Sequence, residues 1–420
     1  MRDVAIWTIS GIAVAGSIGR PWRIAGFAWA LAGASALVVF GLLPWHDALL
    51  AIGKGADVCL FLAGMMLLSE LARREGLFDF LAAYAVNHAR GSASRLFLLA
   101  YAIGALVTVF MTNDATAVVL TPAVYAAARH ARANPLPYLF VCAFIANAAS
   151  FVLPISNPAN LVVFDGRMPP LPQWIAEFAL PSMLAIASTY AVHRFLQRKS
   201  LVAAIDSGIA IPALSRAGAV AGCGIVVVAL VLLAASFEGM PLGMPAMAAS
   251  GCVVAIVLAG KREAPWGMLK EVSWGVLALV AGLFVLVEGI ARTGAIHDLG
   301  LLLRSSAQSS ADATAWIAGI GTAFASNAAN NLPMGLIAGS AASVAHVDAR
   351  IQAAIAIAID LGPNLSVTGS LATILWLAAI RREGEHVSAW QFLRLGIVVM
   401  PVALLFALAA LFLVPWSPNP

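Results

Sequence analysis

Apolar segments alternate with short polar breaks along the whole chain, and some of these segments are too short to cross a membrane. Residues 96–109 and 117–128 form apolar runs of about 12–14 residues, whereas a helix needs about 20 to cross a bilayer core. The pattern therefore predicts a re-entrant hairpin over 95–129 that enters the membrane and turns back. Three polar residues form its bend: Thr112, Asn113 and Asp114.

A second re-entrant hairpin is predicted over 311–345, with Asn330 and Asn331 at its bend. Two longer apolar segments, 136–165 and 350–380, contain prolines and polar residues near their middle. Proline removes a backbone donor and breaks a helix, so each segment is predicted to be a broken helix. Irregular backbone within a membrane survives where it is buried in protein or lines a watery cavity. We therefore expect the functional site where these four interrupted elements meet.

The whole pattern predicts an all-α polytopic membrane protein with about ten transmembrane helices, two re-entrant hairpins and two broken helices. A spaced motif occurs twice and indicates an internal repeat: Gly64, Glu70, Arg74 and Gly76 recur with the same spacing as Gly282, Glu288, Arg292 and Gly294. Because each repeat holds an odd number of crossings, the two repeats must have opposite orientations, as in many secondary transporters. The predicted boundaries are an N-terminal span (1–22), repeat 1 (23–196), a linker with a connecting span (197–242) and repeat 2 (243–416).

The two glutamates of the repeated motif lie near the ends of their spans. Glu70 and Glu288 are expected to pair with nearby arginines or to cap helices, and a proton relay is the alternative role.

Composition supports the membrane assignment. The chain is 62% apolar and 10% charged, with a mean hydropathy of +0.93, whereas soluble domains carry about 25% charged residues. Placing both termini outside assigns eighteen of the 24 lysines and arginines to cytoplasmic loops, which the positive-inside rule favours. The net charge of +4 is spread over these short loops, so a nucleic-acid partner is not expected and the lipid bilayer is.

Several kinds of chemistry have no support in the sequence. The four cysteines show no paired spacing and the seven histidines show no ligand spacing, so no metal site is predicted. A phosphate-binding loop with its lysine is absent, and no nucleophile–base set shares a depth in the membrane. The sequence therefore predicts a transporter that is not an enzyme and that has no bound cofactor.

The candidate substrate-binding residues are mostly neutral donors and acceptors from the four interrupted elements: Thr112, Asn113, Thr116, Ser156, Asn157, Asn160, Asn327, Asn330, Asn331, Thr368, Gly369 and Ser370. This set suits a neutral polyhydroxyl solute, since an anion would need arginine, lysine or several free N–H groups. Asp114 and Asp360 are the candidates for proton coupling, because a buried carboxylate can take up and release a proton as a site changes access. Asp114 could instead help to bind Na⁺ or be only hydrogen-bonded, and Asp360 could be structural.

These residues resemble a known family. Phe110-x2-Asn113-Asp114, Asn330-Asn331-Leu332-Pro333 and above all the stretch Asp360–Trp376 are similar to the bacterial arsenite efflux permeases, the ArsB family of the ion-transporter superfamily. The resemblance implies export of arsenite and antimonite as neutral hydroxides across the bacterial inner membrane, in exchange for protons and driven by the proton-motive force. It also implies that an arsenite-stimulated ATPase subunit can dock on the protein.

Other members of the superfamily supply the alternatives. Dicarboxylate carriers have Ser-Asn-Thr at both hairpin bends, whereas this chain has Thr-Asn-Asp and an Asn-rich string. The alternative functions are a Na⁺/H⁺ antiporter or a Na⁺-coupled carboxylate carrier, and then a passive channel. Asn147 and Asn364 also differ from the charged residues expected at these places in ArsB-like chains.

Overall fold

A computed structural model describes residues 1–164, 168–208 and 210–414. The ends of two predicted elements, residue 165 of the first broken helix and residues 415–416 of repeat 2, lie outside this range, as does Arg167 of the predicted outer loops. The described chain is helical, and its only strand-like contact is an isolated bridge between Ser92 and Ala204.

The α-helices are, in chain order, α1 Arg2–Gly19, α2 Gly26–Val39, α3 Trp45–Lys54, α4 Ala56–Arg74, α5 Leu77–Ala89, α6 Ala93–Phe110, α7 Asn113–Ala115, α8 Thr121–His130, α9 Leu136–Ala148, α10 Pro158–Val163, α11 Leu171–Gln197, α12 Arg216–Phe237, α13 Gly243–Lys261, α14 Trp266–Leu269, α15 Gly275–Ala291, α16 Ala295–Ser309, α17 Ala311–Ala329, α18 Asn331–Ala345, α19 Ala349–Leu361, α20 Leu371–Arg382 and α21 Ala389–Ala410.

The first hairpin bends where its polar residues were predicted. Helix α6 ends at Phe110, and Thr112 takes an extended conformation whose hydroxyl accepts the N–H of Ala115 at 3.3 Å, as an N-cap does. The returning limb runs through α7, a π-helical turn (Thr116–Leu120) and α8. The entering limb is longer than the apolar run 96–109, because Ser92 caps α6 and extends it to 18 residues.

The second hairpin turns on a single residue. Asn330 lies between α17 and α18 with φ 71° and ψ 153°, a conformation that is almost restricted to glycine. Its side-chain oxygen accepts the N–H of Leu332 at 3.4 Å and so begins α18. The predicted bend at Asn330 and Asn331 is therefore a tight turn at one residue rather than a longer loop.

Both broken helices have the predicted interruption. Helix α9 ends at Ala148, and α10 begins only after a short 3₁₀ turn, Pro154–Ser156, with Asn157 as its N-cap. Helix α19 likewise passes into a 3₁₀ turn, Gly362–Asn364, before α20 begins behind Ser370.

The packing joins the two halves of the chain. Helix α4 packs against α13, α2 against α15, and α11 against α21. The hairpin limb α18 packs against α10, and the returning limb of the first hairpin packs against α20. Each hairpin thus lies against the broken helix of the opposite half, which brings all four interrupted elements together.

Five described helices are long and apolar enough to cross a membrane: α6, α11, α12, α13 and α21. The number rises to seven if two bent pairs each form one span, α3 with α4 (48°) and α15 with α16 (73°). This count is lower than the predicted ten, partly because α2, α9, α19 and α20 have only 12 to 14 residues. It also includes α6, which was predicted as a limb of the first hairpin and not as a crossing. Helix α16 bends sharply away from α15.

Candidate functional site

The second hairpin and the second broken helix are joined by their backbones. The N–H of Asn331 donates to the carbonyl of Gly369 at 2.8 Å, and the Asn330 amide donates to the carbonyl of Thr368 at 3.2 Å. The Thr368 hydroxyl returns a hydrogen bond to the carbonyl of Asn327 at 2.9 Å. These bonds satisfy polar groups that both helix breaks expose, and they bring five predicted site residues into one cluster.

Gly369 is required by this close approach. A Cβ at Gly369 would lie 2.5 Å from Cα of Pro363 and 2.7 Å from Oδ1 of Asn327, both too close for any side chain. The residue therefore lets the hairpin bend lie directly on the helix break.

The two broken helices cross through buried side chains. The Asn147 amide donates to Oδ1 of Asn364 at 2.9 Å, and the Ser370 hydroxyl donates to Oδ1 of Asn147 at 3.4 Å. On the other side of the crossing, the Asn157 amide donates to Oδ1 of Asp360 at 2.5 Å. The crossing thus uses Asn147 and Asn364, which the sequence did not assign to the site, and it places the fully buried Asp360 at its centre.

The first hairpin contributes less than its predicted residues suggested. The Thr116 hydroxyl lies 2.8 Å from that of Thr108, so it is bonded within the hairpin and not directed to a solute. Ser156 ties the first broken helix to the hairpin by donating to the carbonyl of Val109 at 3.0 Å. Because α7 packs against α20, Asn113 and Asp114 lie beside the same broken helix that contacts Asn330 and Asn331.

Four buried oxygen atoms in these elements accept no hydrogen bond from the described chain: Oδ1 of Asn113, Oδ1 of Asn160, Oδ1 of Asn331 and Oδ2 of Asp360. Buried polar atoms are nearly always paired, so such acceptors call for an explanation.

A small cavity reaches the first hairpin bend. This chamber, of about 80 Å³, is lined by Thr112 and Asp114 from the hairpin and by Ser69 and Glu70 from α4. It adjoins a wider vestibule of about 590 Å³. Six residues line both cavities, and we call this shared wall the neck: Glu70, Val118, Val119, Glu271, Ser273 and Leu375. Among the predicted site residues, only Thr112 and Asp114 line the chamber. The sequence did not predict that α4 contributes to the chamber wall, because Glu70 is the only one of its lining residues that belongs to a recognisable motif.

Both glutamates of the repeated motif form ion pairs. Arg73 donates to the two carboxylate oxygens of Glu70 at 2.6 and 2.9 Å and also pairs with Glu271. Glu288 pairs with Lys54 at 2.9 Å and with Arg292 at 3.5 Å. The expected pairing with basic residues is therefore confirmed, with a lysine as one of the partners.

Comparisons with known proteins give the family. The family described as citrate transporter (CitMHS) matches residues 21–360. An arsenical pump membrane protein of Yersinia enterocolitica is 30% identical over 91% of this chain and 98% of its own length. Its counterpart in Escherichia coli K12 is 29% identical over 83% of this chain and 84% of its own length.

The chain belongs to the ArsB family of arsenical pump membrane proteins. Its fold is similar to two solved transporters. The YdaH transporter of Alcanivorax borkumensis has a TM-score of 0.56, 15% identity and coverage of 87% of this chain and 86% of its own. MtrF of Neisseria gonorrhoeae has a TM-score of 0.55, 12% identity and coverage of 89% and 85%. The ArsB-family chain is thus a multi-pass membrane transporter rather than an enzyme, as its sequence predicted.

Proposed function

We propose that this protein is a secondary active transporter that exports arsenite and antimonite, as neutral hydroxides, in exchange for protons. The observation that carries the proposal is a polar centre of buried amides and hydroxyls, together with the buried Asp360 and the partly exposed Asp114. In the described part of the chain, no lysine or arginine is among the buried polar residues. A trihydroxide both donates and accepts hydrogen bonds, which such a centre can match without a cation. The arsenical pump relatives support this choice of solute.

The size of the chamber favours a small solute. The chamber of about 80 Å³ has room for a few water molecules or for a solute of similar size. A neutral trihydroxide is a smaller solute than a tricarboxylate, which also carries charges that need partners.

Proton coupling is assigned first to Asp114. Its carboxyl group lines the chamber and is only partly exposed, so a proton on it would meet the same space as the solute. Asp360 was the second candidate from the sequence, and its Oδ2 has no partner within the described chain. Asp360 lies between the broken helices, so its coupling role would require the crossing to open.

Alternating access follows from the proposed inverted repeat, with repeat 1 over 23–196 and repeat 2 over 243–416. In support, the glycines that end the two motifs, Gly76 and Gly294, both have positive φ (76° and 85°), and a helix follows each. Each hairpin also lies against the broken helix of the opposite half. Two equivalent half-sites of opposite orientation would open to opposite faces in turn.

The cellular setting completes the proposal. We place the protein in the bacterial inner membrane with both termini outside, energised by the proton-motive force, and an ATPase subunit is the proposed additional partner.

The decisive experiment is arsenite and antimonite tolerance of a strain that lacks its own exporters, with and without this gene. The expected result is higher tolerance of both, together with proton movement driven by arsenite in everted vesicles. The second candidate is a Na⁺-coupled carboxylate carrier, which the citrate transporter description favours. Uptake of citrate that depends on Na⁺, without any arsenite tolerance, would establish that candidate instead.

A further inference from the structure

The route from the vestibule to Asp114 passes between acidic side chains. The chamber wall carries three carboxyl groups, those of Glu70, Asp114 and Glu271, and no basic side chain is among its lining residues in the described chain. The vestibule wall, in contrast, mixes charges of both signs: Glu70, Arg73, Asp79, Glu271, Arg382 and Glu383. The lining of the chamber thus holds acidic groups only, whereas the lining of the vestibule also holds two arginines.

The neck joins two separate parts of the chain. Glu70 belongs to α4 and Glu271 to the segment before α15, and Arg73 pairs with both. This triad forms one wall, and the apolar residues Val118, Val119 and Leu375 line the same passage. One arginine against two glutamates leaves the triad with a formal charge of −1, next to Asp114.

From this arrangement we propose that the triad of Glu70, Arg73 and Glu271 is a charge filter that rejects anionic solutes before they reach the chamber. A neutral hydroxide passes the neck without a Coulombic penalty, whereas a carboxylate or an ionised oxyanion is repelled by the net negative charge, most strongly at low salt. The filter would determine the specificity of a fold whose family also includes proteins described as citrate transporters. The inference rests on the proposed function, because it concerns how that transport selects its solute.

Thiol labelling in the purified, detergent-solubilised protein tests the filter without any transport. A cysteine introduced by Val118→Cys lies in the neck, and one introduced by Ala378→Cys lies in the vestibule but not in the chamber. Iodoacetate and iodoacetamide are similar in shape and differ in charge. Peptide mass spectrometry measures the labelling of each cysteine separately. At each cysteine we compare the rate with iodoacetate to the rate with iodoacetamide, because this ratio does not depend on the intrinsic reactivity of the thiol.

We expect the iodoacetate-to-iodoacetamide ratio to be about tenfold lower at position 118 than at position 378 at low salt, with the difference shrinking at high salt. Two charge variants in the Val118→Cys background should then move the ratio in opposite directions. Glu271→Gln makes the triad neutral and should raise it, while Arg73→Gln makes the triad more negative and should lower it further. A general loosening of the neck would move both variants the same way.

Equal ratios at the two positions, or no opposed response to the two variants, would overturn the filter. Failure of iodoacetamide itself to react at position 118 would also overturn it, because the neck would then be closed to neutral solutes. The readout is independent of arsenic. If the labelling pattern holds but the gene gives no arsenite tolerance, the proposed substrate is wrong and the filter stands. If the gene gives tolerance but the labelling pattern fails, the proposed substrate stands and the filter is wrong.

Discussion

The two carboxyl groups proposed for proton coupling, those of Asp114 and Asp360, have different surroundings. Asp114 lines the chamber and is partly exposed, whereas Asp360 is fully buried and accepts a hydrogen bond from Asn157. The same change of carboxylate to amide therefore tests two different roles at nearly constant volume.

We expect Asp114→Asn to reduce uphill arsenite export to near background, because an amide has no proton to release. The measurement is arsenite uptake by everted vesicles over a range of external pH. The fold should persist, since no hydrogen bond of the Asp114 side chain is needed to form the bend, which Thr112 caps. Normal pH dependence in this variant would show that Asp114 does not carry the coupled proton.

Asp360→Asn is the matched control, and we expect it to keep most of the export and its pH dependence. An amide oxygen can still accept from Asn157. Asn147, which is the second-last residue of α9 as Asp360 is of α19, is already an amide. Loss of pH dependence in Asp360→Asn, with the protein still folded, would instead give Asp360 the coupling role that the sequence suggested for it.

The bend of the second hairpin stores strain that can be measured. Asn330 has φ 71° and ψ 153°, a conformation that costs a non-glycine residue roughly 1–3 kcal/mol. Asn330→Gly and Asn330→Ala both lose the side-chain bonds to Thr368 and Leu332, but only glycine relieves the strain. We expect thermal unfolding in detergent to occur at a higher temperature for the glycine variant than for alanine. The reverse order would mean that the bend is not held in this conformation.

Elements as a whole were more predictable than the contacts between them. The polar stretches at Thr112–Asp114 and Asn330–Asn331 were enough to predict where the chain bends. The short entering limb of the first hairpin was not predicted correctly, because α6 has 18 residues and is long and apolar enough to cross a membrane. The repeated motif, in contrast, was visible as spacing. The contribution of α4 to the chamber wall was not predicted, because the position of Ser69 in that wall depends on tertiary packing that no local sequence pattern encodes. Thr116 shows the opposite error, a polar residue beside the bend whose hydroxyl serves only its own hairpin.

The junction of hairpin and broken helix should tolerate no added volume. Gly369→Ala places a methyl group against Pro363 and Asn327, and overpacking of this kind costs about 1–3 kcal/mol. We expect a lower melting temperature and reduced export. Gly321→Ala on α17 is the control, because a Cβ there meets nothing within 4 Å. If both variants behave like the parent protein, the two breaks do not make the close contact described here.

At the scale of the whole molecule, ion pairs and cavities lie on two faces. In the proposed orientation, the vestibule with Arg73 and Arg382 lies on the cytoplasmic side, and the ion pair of Lys54 with Glu288 lies on the outer side. A second cavity of about 210 Å³ lies beside Lys54. The wider opening would thus face the cytoplasm, where an exporter must load its solute.

Reporter fusions test this orientation. With both termini outside, alkaline phosphatase fused to either terminus should be active, since it folds only outside the cytoplasm, and green fluorescent protein at the same places should stay dark. A phosphatase fusion truncated after Arg198, in a predicted cytoplasmic loop, should be inactive and serves as the control. Inactive phosphatase at both termini would invert the topology. The vestibule would then open outward, and the chain would be in a state that releases solute rather than one that loads it.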